Sequence, residues 1–142
     1  MKPPNSRYTV AVDFDGVLHR YDSPWVNAHT IPDKPVVGAM EWLFSTVQRF
    51  TVVTYSTRCR TWRGRRAVRR WLHFHAGNLW YESPGSCGVE DVTLSYTKPP
   101  ALIYLDDRAM RFDGIHWPTP REIHAARPWN KSPAQPAGGE AV

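Results

Sequence analysis

Cysteine is scarce in this 142-residue chain, and long apolar runs are missing from it. Its two cysteines, Cys59 and Cys87, are too few for the disulfide framework of a small secreted domain, and they lack the spacing of a zinc site. No run approaches the roughly 18 apolar residues of a membrane span, and the first residues contain no apolar signal segment. We therefore expect a cytoplasmic protein with no membrane partner.

Acidic residues are missing from one long stretch of the sequence. Between Trp42 and Tyr81 there is no Asp or Glu, and this stretch contains eight arginines, which give it a charge of +8. The formal net charge of the whole chain is +5, so the remaining ten basic and thirteen acidic residues sum to −3. Positive charge concentrated in this way favours a polyanionic partner.

The length of the chain suits one domain, and its end has the composition of a tail. With 42% apolar residues, a domain of this size can form a core without disulfides. Residues 128–142 contain three prolines and two glycines, and little apolar matter beyond Trp129. We predict one domain over residues 1–127 and a flexible tail over residues 128–142.

Short apolar runs, rich in β-branched and aromatic residues, predict four strands. They lie at residues 8–13, 50–55, 92–94 and 101–105. Apolar residues at helical spacing predict two longer helices, at 37–48 and 62–75, and a short one at 121–126. Because strands and helices alternate along the chain, we expect an α/β fold with a central parallel sheet.

Carboxylates follow the first and the last of these strands in pairs. Asp13 and Asp15 precede Gly16, and Asp106 is followed directly by Asp107. Open α/β sheets bind ligands at the carboxyl ends of their strands, so both pairs are expected at one edge. Like charges at close range are tolerated around a divalent cation, and their hard oxygens favour Mg²⁺. Either pair alone is equally typical of a turn or a helix cap.

Donors that suit a phosphate group stand near two strand ends. The hydroxyl turn Ser56-Thr57-Arg58 follows the second strand, and Lys98 precedes the last one. For the two cationic residues, Arg58 and Lys98, an alternative to phosphate binding remains open. Arg58 is also the first of a series of arginines that solvent can surround, and Lys98 suits an exposed loop. His19, just after the first acidic pair, is typical of a structural histidine.

The segment Asp13-Phe14-Asp15-Gly16-Val17-Leu18 resembles the first motif of the haloacid dehalogenase (HAD) superfamily. Ser56 resembles the second motif, Lys98 the third and Asp106-Asp107 the fourth, over about residues 8–117. The layout is similar to the phosphatase domain of phage polynucleotide kinases, to deoxyribonucleotidases and to small HAD-like proteins of bacteriophages. The resemblance implies a three-layer Rossmannoid fold and, for a phage protein, the host cytoplasm.

The resemblance also implies a role for each motif residue. Asp13 would be the nucleophile that forms an aspartyl-phosphate, and Asp15 the general acid and then the base. The phosphate-binding residues would be Ser56, Lys98 and Arg58. The Mg²⁺ ligands would be Asp13, the backbone carbonyl of Asp15, and Asp106 with Asp107, directly or through water.

Two features bear on the substrate. Only forty residues, 16–55, separate Asp15 from Ser56, which leaves no room for a large cap domain and predicts a cleft open to bulky phosphate esters. On the second long helix Arg63, Arg66 and Arg70 share a face, which suits a phosphate backbone. The interleaved aromatic residues either stack on bases or lie in the core, and for most of them we expect the core: Trp62, Trp71, Phe74, Trp80 and Tyr81.

The resemblance, together with these patterns, implies a hydrolase: a magnesium-dependent phosphomonoesterase. Its substrate would be a nucleic-acid terminal phosphate, as in a polynucleotide 3′-phosphatase, or a nucleotide. The alternative is a non-catalytic module that binds nucleic acid or protein on the same fold. The presence of both Asp13 and Asp15 favours the enzyme, because binding alone requires neither a nucleophile nor an acid.

Overall fold

Four short strands form one parallel sheet in the computed structural model of the chain, which describes residues 8–81 and 86–129, without the side chains of residues 78–81. The strands are β1 (Thr9–Asp13), β2 (Thr51–Tyr55), β3 (Thr93–Ser95) and β4 (Ile103–Leu105). Their order across the sheet is β3-β2-β1-β4, and every neighbouring pair is parallel. The predicted α/β class with a central parallel sheet is confirmed.

Three α-helices accompany the strands: α1 (Ala39–Val47), α2 (Trp62–Tyr81) and α3 (Pro120–Ala125). α2 continues for six residues beyond its predicted end at His75. The reason is packing, because Ala76, directly after the predicted end, is fully buried and extends the apolar stripe of Val68 and Leu72 by one turn. Of the described helices, none is long and apolar enough to cross a bilayer.

α1 and α2 cover the same face of the sheet. Leu43 and Val47 of α1 and Leu72 of α2 belong to one buried cluster with the strand residues Val12 and Val52. The β1-α1-β2 and β2-α2-β3 connections step in the same direction, and right-handed crossovers then place both helices on one side. α3 buries none of its side chains. Within the described residues, the second helix layer of the predicted three-layer arrangement is therefore not formed.

The direction of the chain connections reverses beside β1. From β1 the chain passes to β2 on one side, whereas β4 lies on the other side of β1. Such a reversal opens a crevice at the carboxyl ends of the two neighbouring strands, which is where ligands of open α/β sheets bind. The crevice here lies between Asp13, the last residue of β1, and Asp106-Asp107, directly after β4.

A long loop, residues 14–38, joins β1 to α1 without a helix or strand of its own. Hydrogen bonds close it at its base, where the Val36 N–H donates to the Leu18 carbonyl at 2.9 Å. Further out, Ser23 donates its N–H and its hydroxyl to the Asp33 carboxylate at 2.8 and 2.6 Å. The loop is thus an ordered wall beside the crevice, and the segment between β1 and β2 contains no cap domain.

The described chain ends on the loop of the first acidic pair. Trp129 Nε1 donates to the Gly16 carbonyl at 2.6 Å. This attachment lies two residues beyond the predicted limit of the domain at residue 127. Residues 130–142, most of the predicted tail, lie outside the described residues.

Candidate active site

Three carboxylates converge at the crevice. Asp13, Asp106 and Asp107 each offer one oxygen, and these oxygens all lie within 4.8 Å of one another. The strand register explains the meeting, because Val12 of β1 pairs with Leu105 of β4 and the acids follow directly. Residues almost a hundred positions apart in the sequence therefore share one site.

The cluster is electrostatically unfavourable when every carboxylate is charged. Burial, together with the charges of Asp106 and Asp107, raises the pKa of Asp13 to about 8. Burial also raises the pKa of Asp107, whose Oδ1 is buried without a hydrogen-bond partner among the described residues. A group of partly buried carboxylates with one buried, unpaired oxygen is chemically suited to a divalent cation, whose charge offsets the repulsion.

Asp106 differs from its two neighbours because donors surround it. Burial alone would raise its pKa, but the N–H of Arg108, the Tyr55 hydroxyl and the Lys98 ammonium outweigh burial and lower it. The Tyr55 hydroxyl donates to Oδ2 of Asp106 at 2.7 Å, and Lys98 Nζ lies 3.6 Å from the same oxygen. Asp106 is therefore the cluster's most readily ionised member and is fixed in orientation.

The second acid of the first motif faces different partners. Asp15 accepts two contacts from Arg58 Nε, at 2.9 and 3.1 Å, and a hydrogen bond from His19 Nδ1 at 2.8 Å. Its carboxylate is not part of the three-acid cluster, although it lines the same cleft as Asp13. Asp13 thus lies among other carboxylates, whereas Asp15 lies among hydrogen-bond donors.

His19 is fully buried, and its hydrogen bonds define its tautomer. The Asp33 N–H donates to His19 Nε2 at 3.1 Å, so this nitrogen carries a lone pair. The proton is therefore on Nδ1, which donates to Asp15. The ring stacks on Phe14 with centroids 5.6 Å apart, and it meets the edge of Trp71. His19 has the structural role expected of it, and that role is to position Asp15.

Arg58 does not bind in the way that the sequence suggests. It is 1% exposed, and its Nη1 donates to three carbonyls of the 14–38 loop, at 2.9 to 3.1 Å. Its guanidinium also lies 4.5 Å from the centroid of the Trp25 ring. The expectation that Arg58 contacts phosphate is corrected, and so is the alternative of a solvated arginine. The side chain instead connects Asp15 to the loop.

A cleft of about 400 Å³ lies over the ends of β1 and β2. Asp13 and Asp15 form part of its wall, and so do the predicted phosphate-binding residues Ser56 and Lys98. Ser56 is 6% exposed and caps the 3₁₀ turn Thr57–Arg60 by accepting the Arg58 N–H at 3.1 Å. Four sequence-predicted site residues are therefore gathered at one cavity.

Several residues of the cleft were not among the site residues predicted from the sequence. Arg108, exposed at its rim, supplies a cation that is not buried in the way Arg58 is. The others are aromatic residues: Tyr21, Trp25, Tyr55 and Tyr96. Thr57, from the predicted hydroxyl turn, also lines the cleft. Arg108 could have been predicted, because it directly follows the Asp106-Asp107 pair. Nothing in the sequence indicated that aromatic residues of the 14–38 loop line the cleft, because folding places them there.

Gly16 is required by the approach of two site segments. Its φ is +88°, and a Cβ added there would lie 2.2 Å from Asp107 Oδ2. Glycine adopts this left-handed conformation without steric cost. The loop after β1 can therefore pass close enough to Asp107 for the acids of β1 and β4 to share one site.

The arginine-rich helix α2 divides its cations between two environments. Arg63, Arg66 and Arg70 are exposed on one side. Arg69, by contrast, donates to the Val89 and Val92 carbonyls, both at 2.7 Å, and burial lowers its pKa. The first three arginines are available to a ligand, whereas Arg69 attaches α2 to the segment before β3.

The aromatic residues of α2 are less buried than the sequence suggests. Trp71 lies in the core at 6% exposure, but Trp62 and Phe74 are 71% and 81% exposed. The expectation of core positions is therefore wrong for Trp62 and Phe74. The side chains of Trp80 and Tyr81 are outside the described part of the structure, so the expectation of core positions for these two residues stays a prediction. Exposed rings beside exposed arginines favour the alternative that they contact a ligand.

Comparison with known proteins gives no relative for this chain. No protein-family model matches it, and no curated protein or solved structure is significantly similar to it.

Proposed function

We propose that this protein is a magnesium-dependent phosphomonoesterase of the HAD type. The carrying observation is that the oxygens of Asp13, Asp106 and Asp107 lie within 4.8 Å of one another at the strand ends where the resemblance places a nucleophile and a metal site. Asp15, Ser56 and Lys98 belong to the adjoining cleft. This arrangement supports phosphoryl transfer, because such chemistry depends on positioned charges and a divalent ion.

The ion would be held by Asp13, Asp106 and Asp107, with the backbone carbonyl of Asp15 as a further ligand implied by the resemblance. The donor set fits Mg²⁺, which binds to hard carboxylate oxygens. When bound, the ion would neutralise charge on the phosphoryl group and permit Asp13 to ionise near neutral pH. The buried, unpaired Oδ1 of Asp107 gives this fit its independent support.

The residues of the chain would carry the reaction in two halves. In the first, an Asp13 oxygen attacks phosphorus, the bond to the leaving oxygen breaks, and Asp15 gives that oxygen a proton. In the second, Asp15 takes a proton from water, which attacks the aspartyl-phosphate and releases inorganic phosphate. Ser56 would bind the phosphoryl oxygens, with Lys98 and the exposed Arg108 offsetting their charge.

The test is an assay of the full chain with an aryl phosphate, with mononucleotides and with 3′-phosphorylated oligonucleotides. We expect phosphate release in Mg²⁺ and none in chelator. Asp13→Asn should abolish turnover, whereas Asp113→Asn, which removes the same charge at a residue outside the cleft, should leave it unchanged. Absence of turnover on every substrate at high enzyme concentration would overturn the proposal.

The second candidate is a binding module without catalysis, and the exposed arginine face of α2 favours it. It predicts that the protein's biological effect survives Asp13→Asn and is lost with Arg66→Glu and Arg70→Glu together. The enzymatic proposal predicts the reverse for Asp13→Asn, so one pair of variants separates the two candidates.

A further inference from the structure

We propose that one side of α2 is a binding site for single-stranded nucleic acid. The site, which we name the α2 stripe, consists of Trp62, Arg63, Arg66, Arg70 and Phe74. The stripe as a binding surface does not depend on catalysis. Its use to guide a strand whose terminal phosphate enters the cleft rests on the proposed function.

The helical spacing places the members of the α2 stripe in a row. Trp62, Arg66, Arg70 and Phe74 are four residues apart at each step, slightly more than one turn, so the row turns by about 40° per step and stays within about one third of the helix circumference. Twelve residues of α-helix span about 18 Å. The row therefore has an aromatic ring at each end with cations between them, and it is long enough for several nucleotides.

The charge of the α2 stripe is not neutralised within the described structure. No carboxylate of the described residues lies within ion-pair distance of Arg63, Arg66 or Arg70, and the whole stretch from Trp42 to Tyr81 contains no acid. An uncompensated row of guanidinium groups attracts a phosphate backbone and releases its counterions. Charge complementarity thus favours a polyanion as the occupant.

The α2 stripe borders concave surface. A groove of about 340 Å³ lies between Trp62, Arg63, Arg66 and Arg70 on α2 and His29 of the 14–38 loop. A second groove, of about 440 Å³, continues it past Arg70 to Phe74 and again includes His29. An extended chain can therefore lie along α2 with the loop as its other wall.

The two exposed rings favour a single strand over other polyanions. Trp62 and Phe74 are 71% and 81% exposed, so most of each ring is apolar surface open to water. The Phe74 ring meets the neighbouring His75 ring edge-on, with centroids 4.9 Å apart, and its remaining surface is free to contact a ligand. Unpaired bases stack on such rings, whereas the bases of a duplex are already stacked on each other and an acidic peptide offers carboxylates without bases. The combination of cations and rings is the feature that selects the ligand class.

The α2 stripe begins a few residues along the chain from the cleft. Thr57 lines the cleft, Trp62 opens α2, and five residues can separate the two by at most about 18 Å. Arg60, between them, is exposed. The 14–38 loop contributes Trp25 to the cleft and His29 to the groove. One loop wall therefore runs along both, and a strand on the α2 stripe has a short path into the cleft.

The experiment measures binding of the full chain to a fluorescein-labelled twelve-residue oligothymidylate by anisotropy, at several salt concentrations. The test variant is Arg63→Gln, Arg66→Gln and Arg70→Gln combined. Its matched control removes three exposed arginines elsewhere: Arg49→Gln, Arg111→Gln and Arg121→Gln. Both variants carry three fewer positive charges, so an effect of net charge alone would be equal in the two.

We expect the stripe variant to bind at least about tenfold more weakly at low salt. Its slope of log affinity against log salt should be shallower by about 2, because three arginines no longer displace counterions from the phosphates. Trp62→Ala should weaken binding by roughly fivefold or more, with partial rescue in Trp62→Phe, since a stacking platform for one base is removed. Thermal melting checks that each variant is folded. Equal affinities of the stripe and control variants would overturn the inference.

Competition identifies the ligand class. Unlabelled single strand should displace the probe at lower concentration than duplex DNA or poly-glutamate of equal charge. Equal displacement by poly-glutamate would overturn the assignment to nucleic acid. Turnover separates this inference from the proposed function: the stripe variant should lose kcat/KM on a 3′-phosphorylated strand but keep it on an aryl phosphate. If binding requires the α2 stripe but no substrate is turned over, the phosphatase proposal is overturned and the binding site is not.

Discussion

Arg58 donates through Nε to both carboxylate oxygens of Asp15, at 2.9 and 3.1 Å, from a position that is 1% exposed. The same guanidinium binds three carbonyls of the 14–38 loop. Asp15, the 3₁₀ turn after β2 and the loop wall are therefore one connected unit, which should respond as a whole when the arginine is removed.

Arg58→Ala should lower the free energy of unfolding by about 3 kcal/mol or more. The variant leaves the partly buried Asp15 without its cationic partner and removes the donor to the loop carbonyls, and loss of one member of a buried ion pair costs about this much. Urea unfolding measures it. Arg63→Ala, at an exposed position of α2, should change stability by no more than about 0.5 kcal/mol. A similar small loss in both variants would contradict the structural role of Arg58.

Asp13→Asn should stabilise the protein in chelator, and more so as the pH rises. The pKa of Asp13 is about 8 in the folded chain against 3.8 for the unperturbed group. Between these values the folded state keeps a proton that the unfolded state has lost, so the stability of the natural chain falls as pH rises through the window. Asn does not titrate, so the variant lacks this contribution to the change of unfolding free energy with pH.

The measurement compares the unfolding free energies of both proteins at pH 5, 6 and 7. Their difference should grow by about 1 kcal/mol per pH unit, close to the limit for a single proton. Excess Mg²⁺ should reduce the difference, because the ion stabilises the charged cluster of the natural chain. Parallel pH curves in chelator would show that Asp13 is not perturbed in this way.

Gly16→Ala should destroy the response of the protein to Mg²⁺. A Cβ at residue 16 meets Asp107 Oδ2 and must displace that carboxylate. Gly114 is the matched control, since its φ is also +88° but a Cβ there has nothing within 4 Å. Both alanine variants should lose about 1 to 2 kcal/mol from backbone strain. Addition of Mg²⁺ should then raise the melting temperature of Gly114→Ala and leave that of Gly16→Ala unchanged.

Tyr55→Phe should weaken Mg²⁺ binding by about tenfold while the fold is retained. The Tyr55 hydroxyl donates to Asp106 at 2.7 Å and orients it, and loss of such an outer partner typically reduces metal affinity by this order. Tyr104→Phe removes a hydroxyl that donates to the Pro99 carbonyl instead and should leave the affinity unchanged. Calorimetric titration with Mg²⁺ measures the affinity of each variant. Equal Mg²⁺ affinities of Tyr55→Phe and Tyr104→Phe would exclude the role of Tyr55.

The elements could be predicted from local pattern. β-branched runs and helical spacing located the four strands and the three α-helices of the described residues. This is possible because each element buries one face, and the spacing of its apolar residues shows which face that is. The extension of α2 to Tyr81 was not predicted, because it depends on the burial of Ala76 in the core, which involves residues distant in the sequence.

The acids of the site were also readable from the chain. Asp13 ends β1 and Asp106-Asp107 directly follow β4. Parallel strands bring their carboxyl ends to one edge, so sequence position alone indicates that these acids meet. The role of Arg58 was not readable. An arginine beside a hydroxyl turn has the same local signature whether it reaches a phosphate or is buried against Asp15 and loop carbonyls thirty residues away.

Local spacing therefore established the order of elements, the edge at which the acids collect and the acid-free basic helix. Folding established which arginines bind backbone carbonyls, as the buried Arg58 and the partly buried Arg69 do, and which face water, as Arg63, Arg66 and Arg70 do. It likewise left Trp62 and Phe74 open while it covered Trp71. The physical reason is that period along a helix specifies which side chains share a side, whereas burial of that side depends on segments that arrive from elsewhere in the chain.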